Sequence, residues 1–144
     1  MTESMDEDVT ELAAAVERCL GRTIAEATLG YHPGEPPGQS LRLLFEGGGE
    51  LHLYDELRLC CESRFMTCDD DLPSIRGGRL VGVSVRDGGS RAEEDDLYED
   101  VRFLVVRTTR GDVTVATHNR HNGYYGGFEL RARAVLPSAE GGRR

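Results

Sequence analysis

Lysine is missing from this chain, and all 17 basic residues are arginine. That bias reads first as GC-rich codon usage and second as a demand for guanidinium chemistry. No apolar run approaches the roughly 20 residues that a membrane-spanning helix needs. A secretory leader, basic and then apolar, is not expected, because Met1-Thr2-Glu3-Ser4-Met5-Asp6-Glu7-Asp8 is acidic. The expected compartment is therefore the cytoplasm. No basic patch stands out, which makes nucleic acid an unexpected partner. No Cys-x-x-Cys pair occurs, which argues against a zinc finger. The four cysteines, Cys19, Cys60, Cys61 and Cys68, are expected to be reduced thiols in that compartment.

What is present suits one domain, 1–144. Hydrophobic residues make up 38 % of 144 positions, enough for a single core. The net charge of −9 is uneven: residues 1–18 and 86–100 carry −5 each, and the remainder sums to +1. Val9, Leu12, Ala13, Val16 and Leu20 recur at helical spacing and predict an amphipathic helix over 5–20. Ser4 and Glu7 form a capping-box pattern before it, and Gly21 suits its C-terminal cap. Cys19 falls on the apolar face and is expected in the core.

The period then changes to two. Strands are predicted at Ile24–Leu29, at Leu41–Phe45 and Leu51–Tyr54 around Gly47-Gly48-Gly49, and at Val81–Val85. Further strands are predicted at Val101–Thr108, at Val113–Thr117 ending near His118, and at Phe128–Ala134. Asp71–Gly77 reads as one helical turn capped by Asp71. Tyr31–Gln39 reads as a loop, Asp87–Leu97 as a mobile acidic loop, and residues 1–4 and 138–144 as disordered. The predicted fold is α+β. An N-terminal helix packs on a twisted, mostly antiparallel, barrel-like sheet of about seven strands.

Two segments concentrate chemically expensive residues: Cys60–Asp71 and His118–Phe128. The strings CCESRFMTCDDDL and HNRHNGYYGGF resemble those of an uncharacterised family of small bacterial and phage proteins. The resemblance covers roughly residues 50–130 and implies no established activity.

His118-x-x-His121 on a turn or helix could chelate a transition metal such as zinc, iron or copper, with Cys60, Cys61, Cys68 or Glu62 completing the shell. The same histidines could equally sit in a hairpin loop, since Asn122-Gly123 is a strong turn dipeptide. Cys60 could act as a nucleophile beside an imidazole. Extended parity places Cys60 outward and Cys61 with Leu57 and Leu59. Arg64 and Asp70 could orient a polar substrate, although three consecutive acids do not match a calcium loop. Asn119, Asn122, Tyr124 and Tyr125 are candidate ligand contacts, the tyrosines as stacking platforms for a planar ligand or peptide. A His-Asn-His nuclease is not supported, because its residues would spread over a strand–strand–helix unit.

The leading expectation is a small-ligand site, metal-dependent or catalytic through Cys60, Arg64, Asp70 and His118. The alternatives are a protein- or nucleotide-binding turn at Tyr124–Phe128 and a prophage accessory protein. Polar, glycine-rich stretches are costly to bury unless they satisfy one another. The two segments are therefore expected to meet in space.

Overall fold

The computed structural model describes residues 3–32, 38–57, 62–94, 97–123 and 126–137. The chain forms a helix α1 (Glu3–Cys19), then strands β1 (Ile24–His32), β2 (Gly38–Phe45), β3 (Glu50–Asp55) and β4 (Ser63–Thr67). A 3-10 turn (Leu72–Ile75) precedes β5 (Leu80–Glu94), β6 (Leu97–Thr108), β7 (Gly111–His121) and β8 (Leu130–Val135). Two four-stranded antiparallel sheets result, in the orders β1-β2-β3-β8 and β4-β7-β6-β5.

The helix buries Leu12, Ala15, Val16 and Cys19 and packs mainly on β8. Gly21, at φ 84°, ends it in the left-handed conformation that glycine tolerates best. One core joins all three layers. Leu41, Leu43, Leu51 and Leu53 come from the first sheet, and Leu104, Val106, Val113 and Val115 from the second. Burying each such side chain is worth roughly 1.5–3 kcal/mol.

Strand β4 is an edge strand, and its outward main chain needs partners. Gln39 of β2 supplies them from the other sheet. Its carboxamide accepts from Met66 N–H at 2.8 Å and donates to the Met66 carbonyl at 3.3 Å. A bridge between Thr23 and Arg79 adds a second main-chain tie.

Several expectations are corrected. The sheets do not close into a barrel. The described residues of Asp87–Leu97 are strand and not loop: β5 and β6 pair as one long hairpin with bulges between Asp87 and Ser90 and between Ala92 and Glu94. Its glycines and acids signalled a loop, but cross-strand pairing extends it. Arg91 meets Glu93 and Glu99, and Ser90 hydrogen-bonds Asp100. Gly88 lets the chain pass closely here, since a Cβ there would lie 2.8 Å from the Phe103 ring.

Helix α1 starts at Glu3, so Ser4 lies inside it and not before it. Leu20 is exposed. The cysteine-rich segment adds an eighth strand, β4, and β7 runs past His118 to His121. The last strand begins at Leu130 and leaves Phe128 outside it. Asp71 precedes the 3-10 turn without a side-chain capping bond. Residues 138–144 lie outside the described residues. Among the described residues no helix is long and apolar enough to cross a membrane.

Candidate functional site

The two motif segments do meet, because β4 and β7 are neighbours. Arg64 stands opposite Asn119, and Phe65 opposite His118. Successive strand residues face opposite sides of the sheet. On β7 the odd positions from Val113 to His121 are buried and the even ones are partly or fully exposed. Arg64, Asn119 and His121 thus face the other sheet, while Phe65 and His118 face outward.

The inner side is an ionic lock. Arg64 donates from Nε and Nη2 to both oxygens of Glu62, at 2.6 and 2.7 Å. Its Nη1 donates to Asp55 Oδ2 at 2.6 Å and to the Gly127 carbonyl at 2.9 Å. All three side chains are nearly buried, at 6, 5 and 3 % exposure for Arg64, Asp55 and Glu62. Asp55 also accepts from the main-chain N–H groups of Leu57 and Glu129. Phe128 lies between the Arg64 and Arg102 guanidinium groups, at 5.8 and 5.4 Å from its ring centre.

His121 belongs to this inner side. Its Nδ1 accepts from Gly123 N–H at 3.0 Å, so Nε2 carries the hydrogen given to Asp100 Oδ2 at 2.9 Å. Asp100 also accepts from Gly127 N–H and Ser90. Burial works to raise the Asp100 carboxyl, but hydrogen bonds from Ser90, Gly127 and His121 outweigh it and hold the carboxyl below its ordinary range. The glycines follow from this crowding. A Cβ on Gly126 would lie 2.9 Å from Asp100 Oδ2, and Gly127 sits at φ 95°.

The outer side is arranged differently. Thr67 Oγ1 lies 2.8 Å from His118 Nε2, and His118 Nδ1 lies 2.6 Å from Glu99 Oε2. Thr67 is exposed, whereas Glu99 is 4 % exposed. The His118 ring stacks on Phe65 at 4.5 Å and 7°, and Arg120 lies over the other ring. Burial of Glu99 favours its neutral form, yet hydrogen bonds from His118 and Glu93 keep its carboxyl below the usual carboxylate range.

The expected site residues divide between the two faces. His118 and His121 point to opposite faces, and each of their ring nitrogens has a partner. Among the described residues no group of three His, Cys, Asp or Glu side chains converges on a metal position. Arg64 is engaged by two carboxylates and the Gly127 carbonyl. Asp70 accepts from Thr114 N–H at 2.7 Å and ties the segment to β7. Asn119 is fully buried, and its amide reaches the Gly127 carbonyl at 3.5 Å. Asn122 is exposed in the bend after β7. Cys60, Cys61, Tyr124 and Tyr125 lie outside the described residues.

A cleft of about 20 Å³, room for about one water, lies between Gln39, Asp55, Arg64, Phe65, Met66 and Thr117. That is far below the roughly 300–1,000 Å³ of ordinary ligand pockets. Its polar groups are mostly spent on each other; the buried Thr117 hydroxyl has no partner among the described residues. The cleft fits part of the lock better than a ligand site.

Sequence reasoning missed Thr67, Glu99, Asp100 and Asp55. The signal for the two acids of β6 was parity: Asp100 continues the inward series of Leu104 and Val106, and Glu99 takes the outward one.

The lock yields one prediction, and the two carboxylates bound to the histidines yield another. Arg64→Ala leaves Asp55 and Glu62 buried without their cation and is expected to cost about 3–5 kcal/mol in a denaturant melt. A loss below about 1 kcal/mol, the scale of a surface pair, contradicts the lock. The second concerns acid. Asp100 and Glu99 have depressed folded values, so their stabilisation is present above their unfolded values, about 3.9 and 4.3, and is lost as pH falls through the folded ones. Stability should drop below about pH 4, and Asp100→Asn should flatten that drop. An unchanged acid slope in this variant contradicts the assignment.

Neither a curated protein nor a solved structure matches this chain. A family model does match, over residues 17–129, and takes in both motif segments, both sheets except β8, and the end of α1. The chain belongs to the family described as a domain of unknown function, DUF7448.

Proposed function

We propose that the chain is a small-ligand-binding protein whose working face is the outer side of the β4-β7-β6-β5 sheet, with His118 exchanging a proton with the ligand. One observation carries this reading. An exposed hydroxyl, an imidazole and a buried carboxylate stand in line, with Thr67 to His118 at 2.8 Å and His118 to Glu99 at 2.6 Å. An ionised carboxylate only accepts, so His118 Nδ1 carries a hydrogen. In the neutral ring Nε2 is then the acceptor, aimed at the exposed hydroxyl. That is the arrangement a general base needs: a basic nitrogen at the surface and a fixed partner behind it. The stack on Phe65 keeps the ring from turning. Arg120 lies on the same face, over Phe65, and offers a cation to an anionic group of the ligand. No metal enters this reading, since both ring nitrogens of His118 are engaged.

Chemical-shift mapping with a set of small esters, amides and carboxylic acids tests it. Shifts are expected to gather on Thr67, Ala116, His118 and Arg120. His118→Ala should weaken binding about tenfold, the loss of roughly one hydrogen bond. Hits that gather instead at Gln39, Met66 and Thr117, or no hits on the outer face, contradict the proposal.

A further inference from the structure

We infer that Thr67 is a nucleophile able to take the acyl group of an activated carboxylic ester, with His118 as its base and Glu99 as the positioning residue. The inference rests on the outer face being the working face and adds the reaction class to it. Three features carry it. The Thr67 hydroxyl is at the solvent-facing end of β4, so an ester carbonyl can reach Oγ1 without rearrangement. His118 Nε2 is within hydrogen-bond distance of that oxygen, at 2.8 Å. Glu99, buried on β6, holds the far nitrogen of the ring at 2.6 Å and stabilises the imidazolium that forms. Nucleophile, base and orienting group come from three adjacent strands, β4, β7 and β6, so the sheet's hydrogen bonds fix their spacing.

Among the described residues, Cys68, Cys19 and Thr117 lack this arrangement. Cys68 gives its thiol to the Thr114 and Asp70 carbonyls, and Cys19 is in the core. Thr117 is buried on the opposite face.

The step balances as follows. The Thr67 Oγ1–H proton passes to His118 Nε2 while Oγ1 bonds to the ester carbon. The bond from that carbon to the leaving oxygen then breaks, and the leaving group departs with the electron pair. His118 returns the proton to it or to solvent. Water, deprotonated by the same nitrogen, later attacks the acyl-threonine, releasing the acid and regenerating the hydroxyl.

The test is to incubate the full chain with 4-nitrophenyl acetate at neutral pH and map acetylation by peptide mass spectrometry over time. An acetyl group on Thr67 is expected in the wild type. Its appearance should slow by about 100-fold or more in His118→Ala, as loss of a general base does. Thr67→Ser should retain acetylation at that position. Absence of acetyl-Thr67 in folded wild-type protein overturns the inference and needs no variant. So does an equal rate in His118→Ala. If esters perturb His118 in the shift map but never acetylate Thr67, the ligand face stands and acyl transfer falls. If neither occurs, both fall.

Discussion

A guanidinium buried between two carboxylates is the constraint on which the rest of the molecule hangs. Arg64 cannot be left inside without counter-charges, and Asp55 and Glu62 cannot be left there without Arg64. The bidentate fork to Glu62 and the single bond to Asp55 fix where β3 ends and β4 begins. The remaining capacity of the cluster goes to main chain. The Gly127 carbonyl and the Glu129 N–H anchor the crossover from β7 to β8. Since β7 lies in one sheet and β8 in the other, the lock also sets how the sheets meet at this end. The apolar core between the sheets holds them together without directionality.

This division explains why one sheet has two chemically different faces. The inner face of β7 is spent on cohesion. Thr117, Asn119 and His121 are buried there, and His121 is held in one tautomer by Gly123 and Asp100. The outer face shows the reverse economy: Thr67, His118 and Arg120 keep polar atoms near solvent, backed by the buried Glu99. A side chain three places along a strand is on the other face, so the His-x-x-His string divides between the two tasks.

Much of the fold was legible in the sequence, because the core obeys simple periods. The helical spacing of Leu12 and Val16 and the alternation of Leu41, Leu43, Leu51 and Leu53 placed α1, β2 and β3. The β5–β6 hairpin was hidden, since Gly88, Gly89 and the acids have loop composition and only cross-strand partners show otherwise. The candidate site was half legible. The two segments were recognisable as neighbours from their cost in polar and glycine residues. Their roles were not, because they depend on parity along β7, and an expected turn at His118 erased that parity. Glu99 and Asp55 escaped notice because a carboxylate within an acidic run or at a strand end carries no local mark of burial.

The central claim, that the Asp55–Arg64 lock holds the β7–β8 crossover, is tested most directly by native-state amide hydrogen exchange. The account predicts that the Glu129 N–H, bonded to Asp55 Oδ1 at 2.9 Å, exchanges as slowly as core-strand amides such as Val115 and speeds up in Asp55→Asn. Exchange at Glu129 as fast as in an open loop, or unchanged in Asp55→Asn, would contradict it.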